Sequence, residues 1–197
     1  MNRRTNRIDR STILDLGDYE RQRETLRPRA IAARSVRRVA LGPNATVAFE
    51  NRETVAYQIQ EMLRAERIAK EAEVQHEIDT YSDLLPSPDE LSATVMFEFT
   101  SPDTRALRLH ELVGFEEHLK LDVEGAGVAQ AYFDRRQLDA DRISAVQFVR
   151  FPLNDAQRHA LAAGVRVTLL ADHPRYVHAA ALKPETARAL ATDLQEA

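Results

Sequence analysis

Residues 49–68, FENRETVAYQIQEMLRAERI, form the longest unbroken helical pattern in the chain. With Val55 as origin and about 100° per residue, Val55, Ile59, Met62, Leu63 and Ala69 fall within an arc of about 120°, the stripe of a helix that faces a core. Arg52 and Glu66 project into the same arc, whereas Glu53, Tyr57, Gln60, Glu61 and Arg64 line the opposite side. At about 1.5 Å of rise per residue, Arg52 and Glu66 stand roughly 21 Å apart, so each needs a partner elsewhere. For Glu66 the alternatives are an i,i+4 pair with Lys70 or a buried carboxylate serving a site. The face that mixes Tyr57 with Gln60, Glu61 and Arg64 is either solvated or, with Arg52, an interaction surface.

Outward from this helix, VRRVAL and ATVAF flank Gly42-Pro43-Asn44, the turn chemistry of a β-hairpin. Before the hairpin, a helix from Asp18 carries only Tyr19, Leu26, Ala30 and Ala33 inward, with a kink expected at Pro28. After Ala69 the stripe changes phase, and Val74, Ile78, Tyr81 and Leu85 mark a second run ended by Pro86 and Pro88. From Ala93 the pattern becomes strand (ATVMFEFT), helix (PDTRALRLHELV), a hairpin about Gly125 and Gly127, strand (ISAVQFVRFPL) and helix stopped by Gly164. VRVTLLA and YVHAAAL are two further strands, and PETARALATDLQEA is a terminal helix. The expected class is α+β: a helical N-terminal region with a β-hairpin (1–91), then a mainly antiparallel sheet with helices packed on one face (92–197). The two regions are expected to form one compact unit.

At 197 residues and 44% hydrophobic, the chain is able to bury a sizeable core. It has no cysteine, which excludes disulfides, thiolate zinc sites, cysteine-ligated iron–sulfur clusters and a cysteine nucleophile. No apolar run reaches the ~18 residues of a membrane span, and the N-terminus lacks signal-peptide character, so a cytoplasmic protein is expected. Residues 1–38 hold 11 Arg against five acidic residues, net +6, and the remainder holds 16 basic and 26 acidic residues, net −10. Docking of the basic segment onto the acidic one, within the chain or between subunits, is the simpler reading. A nucleic-acid-binding arm is disfavoured, because Arg outnumbers Lys 24 to 3 throughout and no recognition motif accompanies it.

The densest polar cluster is ADHPRYVH, 171–178. Tyr176 and His178 face one side of an extended segment, and a turn at Pro174 brings His173 or Asp172 back toward them. Asp172, His173 and His178, with Glu66 as a fourth ligand, make a candidate set for iron, zinc or manganese, or for acid–base work. The plain alternative is a strand-end turn with surface histidines. Glu73-Val74-Gln75-His76 matches a Glu-x-x-His signature, but di-iron bundles need two copies and this one is alone. His110-Glu111 lacks the second His of a zincin helix, Gly125-Ala126-Gly127 is not followed by the helix of a dinucleotide loop, and no nucleophile elbow or Walker loop occurs.

The segments VALGPNATVAFENRETVAYQIQEMLRAERI, YSDLLP with SATVMFEF, and ADHPRYVH resemble the bacterial family catalogued as domain of unknown function 3501, from about Leu14 to Leu182, with QIQEMLR the most specific part. The resemblance implies a redox or oxidative-stress setting, because family members are often encoded beside rubrerythrin-like proteins and iron–sulfur oxidoreductases. Residues 1–10 and about 183–197 exceed the typical family member and are expected to be peripheral. The leading expectation is an accessory protein that associates with itself or with such a redox partner. The alternative is a metal-binding or metal-dependent redox protein.

Overall fold

The structure, a computed structural model, describes residues 7–134 and 141–196. After a 3₁₀ turn at Arg10–Thr12 the helices are α1 (Leu16–Ser35), α2 (Arg52–Ala65), α3 (Glu71–Ser82), α4 (Pro102–Glu111), α5 (Asp155–Ala162) and α6 (Pro184–Glu196). The strands are β1 (Arg38–Leu41), β2 (Ala45–Glu50), β3 (Glu90–Phe97), β4 (Leu119–Val123), β5 (Gly127–Gln130), β6 (Tyr132–Phe133), β7 (Val146–Pro152), β8 (Val167–His173) and β9 (Tyr176–Ala181). The chain is α+β, with two antiparallel sheets where a single one was expected. A five-stranded sheet has the order β1-β2-β3-β7-β6, and a four-stranded sheet the order β5-β4-β8-β9. The chain changes sheets between β5 and β6, a crossing of one residue at Ala131 that the run GVAQAYFD does not announce. The division expected at Ser92 runs through β3, which pairs with β2 on one side and β7 on the other.

α2 begins at a capping box: the Asn51 side chain accepts from Thr54 N–H, and the Thr54 hydroxyl accepts from Asn51 N–H. It ends in a Schellman arrangement, with Ile68 N–H donating to Leu63 O (2.8 Å) and Arg67 N–H to Arg64 O (3.3 Å). The residue in the left-handed region is Arg67, at φ 55°. This turn produces the phase change after Ala69 and returns Ile68 to pack with Leu63.

Residues alternate across the five-stranded sheet. Val47, Phe49, Ala93, Val95, Val149 and Phe151 enter the larger core, shared with the four-stranded sheet and with Ala187 and Leu190 of α6. The other face carries Glu50, Thr94 and Phe148. Buried Glu50 accepts from the hydroxyls of Thr54 (2.6 Å) and Thr94 (2.8 Å), and Phe148 joins the smaller cluster built on Val55, Ile59, Leu63, Val74 and Ile78. Helices therefore lie on both faces of this sheet. At the centre of the larger core, Phe115 is fully buried, with Phe97, Phe133 and Tyr176 at ring separations of 5.1–6.3 Å. Truncation of such an aromatic to alanine costs about 3–5 kcal/mol.

The basic N-terminal segment docks onto the acidic remainder. Arg7 pairs with Asp79, Arg10 with Glu71, Arg23 with Glu61 and Arg37 with Asp193, and Arg38 approaches Glu98 at 3.9 Å. The described parts of both ends, residues 7–10 and 183–196, are not peripheral. Ile8 is buried in the smaller core, and α6 buries Thr186, Ala187, Leu190 and Asp193. Residues 1–6 and 197 lie outside the described residues.

Candidate functional site

Gln60, Glu61 and Arg64 of the expected interaction face are engaged inside the chain. The Gln60 amide clamps the Leu14 backbone, accepting from its N–H (2.9 Å) and donating to its C=O (3.0 Å). Glu61 receives a two-pronged bond from Arg23 (2.8 and 2.9 Å) and the Tyr19 hydroxyl (2.5 Å). These bonds, Arg23 foremost, hold its carboxyl down at about 2, while burial pushes the Tyr19 phenol up. Arg64 Nε lies 2.9 Å from Glu20 Oε1, in ion-pair range without the alignment of a hydrogen bond. Tyr57 is half-buried. α1, which buries only Tyr19 and Ala30, is held on α2 largely by these polar contacts. Arg52 is exposed at the first position of α2 and donates to Arg7 O (2.8 Å). Glu66 is exposed past the end of α2, and Lys70 pairs with Glu73 instead.

The ADHPRYVH segment forms the tip of the β8–β9 hairpin. His173 is the cross-strand partner of Tyr176, Ala171 of His178, and Asp172 of Val177. Because side chains alternate along a strand, His173, Tyr176 and His178 face inward and Asp172 faces outward. The set Asp172, His173, His178 and Glu66 is therefore not brought together: Asp172 points to the other side of β8 from both histidines and bonds His118 (2.8 Å), whose ring also meets that of His173 at 5.1 Å, and Glu66 sits in the α2–α3 turn. Among the described residues no group of three or more His, Asp or Glu side chains is placed to hold a metal ion.

Each inward side chain is tied to backbone or ring neighbours. His173 Nδ1 accepts from Arg175 N–H (3.2 Å), which leaves Nε2 to donate to Val113 O (3.2 Å). Tyr176 donates to Leu41 O (2.6 Å) and accepts from Asn44 N–H (3.1 Å), and burial raises its phenol pKa. The His178 ring lies 4.5 Å from that of Tyr176, centroid to centroid, and packs under Gly42. On the outside, His118 Nδ1–H donates to Asp172 Oδ1 (2.8 Å), and Lys120 Nζ donates to Oδ2 (2.5 Å). Lys120 and then His118 hold the Asp172 carboxyl below its ordinary range. His118 and Lys120 have no signal in the sequence near ADHPRYVH, because the β4–β8 pairing that delivers them spans about 50 residues. Among the described residues, His118 has no hydroxyl partner to activate, and neither of two surface depressions beside this sheet is lined by it.

The four-stranded sheet has one buried face and one open face. Leu119, Leu121, Val123, Ala129, Val167, Leu169 and Ala171 are in the core. Their neighbours in the register, Val128, Leu170, Val177, Ala179 and Ala181, share the outer face with Lys120, Asp122, Gln130, Thr168 and Asp172. Val128 is 53% exposed and Val177 67%. No helix among the described residues is long and apolar enough to cross a membrane.

A search of curated proteins finds no match. Among solved structures, a crystal structure described as a novel protein of unknown function from Burkholderia pseudomallei is similar, at 36% identity and a TM-score of 0.88. The match covers 94% of this chain and 97% of that one. The fold just described, two antiparallel sheets closed by α6, matches that structure through nearly its whole length. A family model agrees with these limits, matching residues 7–194, and the chain belongs to the family described as protein of unknown function DUF3501.

Proposed function

We propose that the chain is an accessory protein of the cytoplasm that acts by associating with a protein partner through the outer face of its four-stranded sheet. The observation that carries this reading is the composition of that face. Leu170, Val177, Ala179 and Ala181 give it an apolar patch over β8 and β9, bordered by Asp172, Thr168 and the charged pair Lys120 and Asp122 of β4, beyond which Val128 stands exposed on β5, a mixed apolar and charged surface suited to docking. It supersedes α2 as the favoured surface, since Gln60, Glu61 and Arg64 already hold α1 and residues 8–15. The partner class follows from the family resemblance: a rubrerythrin-like protein or an iron–sulfur oxidoreductase. Carboxylate and lysine footprinting with such a partner tests the surface. Labelling of Lys120, Asp122 and Asp172 falls on binding; unchanged labelling there, or protection confined to α2, overturns the reading.

A further inference from the structure

We infer that β9 is a self-pairing edge, through which two copies of this chain join their four-stranded sheets into one continuous sheet. The inference deepens the association reading by adding a second copy as a partner, at the rim of the face proposed above.

The hydrogen-bonding alternation of an antiparallel ladder fixes which groups are free. His173 and Tyr176 close the hairpin across Pro174-Arg175 and bond to each other, so Tyr176, His178 and Ala180 turn their backbone groups toward β8. Val177, Ala179 and Ala181 turn theirs outward, and among the described residues no backbone bond from elsewhere reaches them. The end of β1 and the turn after it touch β9 through the inward side chains of Tyr176 and His178, so among the described residues the outer edge has no strand paired to it.

Proteins block such edges with short strands, charges, proline or bulges, because an unblocked one pairs with another strand. The other three edges are blocked. β1 has four residues and begins at Arg38, β5 has four and opens on Gly127 before the chain leaves for the other sheet, and β6 has two. β9 has six residues, YVHAAA, with no proline and no Asp, Glu, Lys or Arg. The absence of charge selects the occupant. Antiparallel pairing about a two-fold axis at Ala179 sets Val177 against Ala181 and Ala179 against its own copy, so within the strand no like charges meet, and Arg175 and Lys183 come opposite each other only beyond its ends.

Sedimentation of the full chain tests this. The expected mass is twice the 22.3 kDa of one chain at micromolar concentration. Ala179→Pro removes an outward N–H while leaving the β8–β9 ladder intact, and Ala179→Lys places like charges face to face across the axis. Both are expected to be monomeric with an unchanged circular dichroism spectrum, and Ala179→Lys keeps the test open where the proline variant does not fold. A monomeric wild type, or a folded variant that stays dimeric, overturns the edge. Either result leaves the outer-face reading to be judged by partner binding with Val128→Glu, a residue of β5 on the far side of the sheet.

Discussion

Arg37 and Asp193 form a buried, two-pronged ion pair across 156 residues of sequence, with Nε–Oδ2 at 2.9 Å and Nη2–Oδ1 at 2.8 Å. Asn51, the cap of α2, donates to the same carboxylate at 2.9 Å. One carboxylate thus ties the end of α1, the start of α2 and the last helix together.

Removing Asp193 leaves a buried guanidinium without its counter-charge. Asp193→Ala is expected to destabilise the chain by about 3–5 kcal/mol in urea unfolding, and the paired apolar replacement Arg37→Met with Asp193→Leu by less than that.

Glu61 makes stability acid-dependent. Its carboxyl titrates at about 2 in the folded chain against an ordinary 4.5, so its contribution is full above the ordinary value and lost as pH falls toward 2. Wild type is expected to lose more stability between those values than Glu61→Gln, which starts lower at neutral pH and responds less. Urea midpoints at stepped pH compare the two.

Gly42 combines φ +73° with the close approach of His178, whose Cδ2 would lie 2.5 Å from an added Cβ. Gly42→Ala is expected to cost about 1–3 kcal/mol from strain and crowding together. Adding His178→Ala should relieve the crowding and leave the backbone term, so the double variant melts above the sum of the two single losses.

Much of the fold is legible where the physics is local. Gly42-Pro43-Asn44 marks the first hairpin, Pro86 and Pro88 close the helical run that ends in α3, and Gly164 follows the helix that Asn154 caps. What escaped depends on distant partners or on rule-breaking residues. Arg67 takes a left-handed position usually given to glycine, so the sequence does not mark the end of α2, and helical periodicity puts Glu66 on a face it never joins. Gln60 reads as a surface residue because its partner, the Leu14 backbone, carries no sequence signal. In ADHPRYVH the period-2 alternation correctly groups Tyr176 with His178, and the two-residue turn adds His173 to them while sending Asp172 to His118 and Lys120.

The proposed association takes place on the outer face of the four-stranded sheet. Isothermal titration of a purified rubrerythrin-like or iron–sulfur partner into the wild type, Val128→Glu and Leu170→Glu measures it most directly. Because Val128 is 53% exposed, its charged variant should fold as the wild type does. The predicted result is saturable binding by the wild type and at least about tenfold weaker binding by both variants, a loss of roughly 1.4 kcal/mol or more. Equal binding by all three proteins, or none by the wild type, would contradict it.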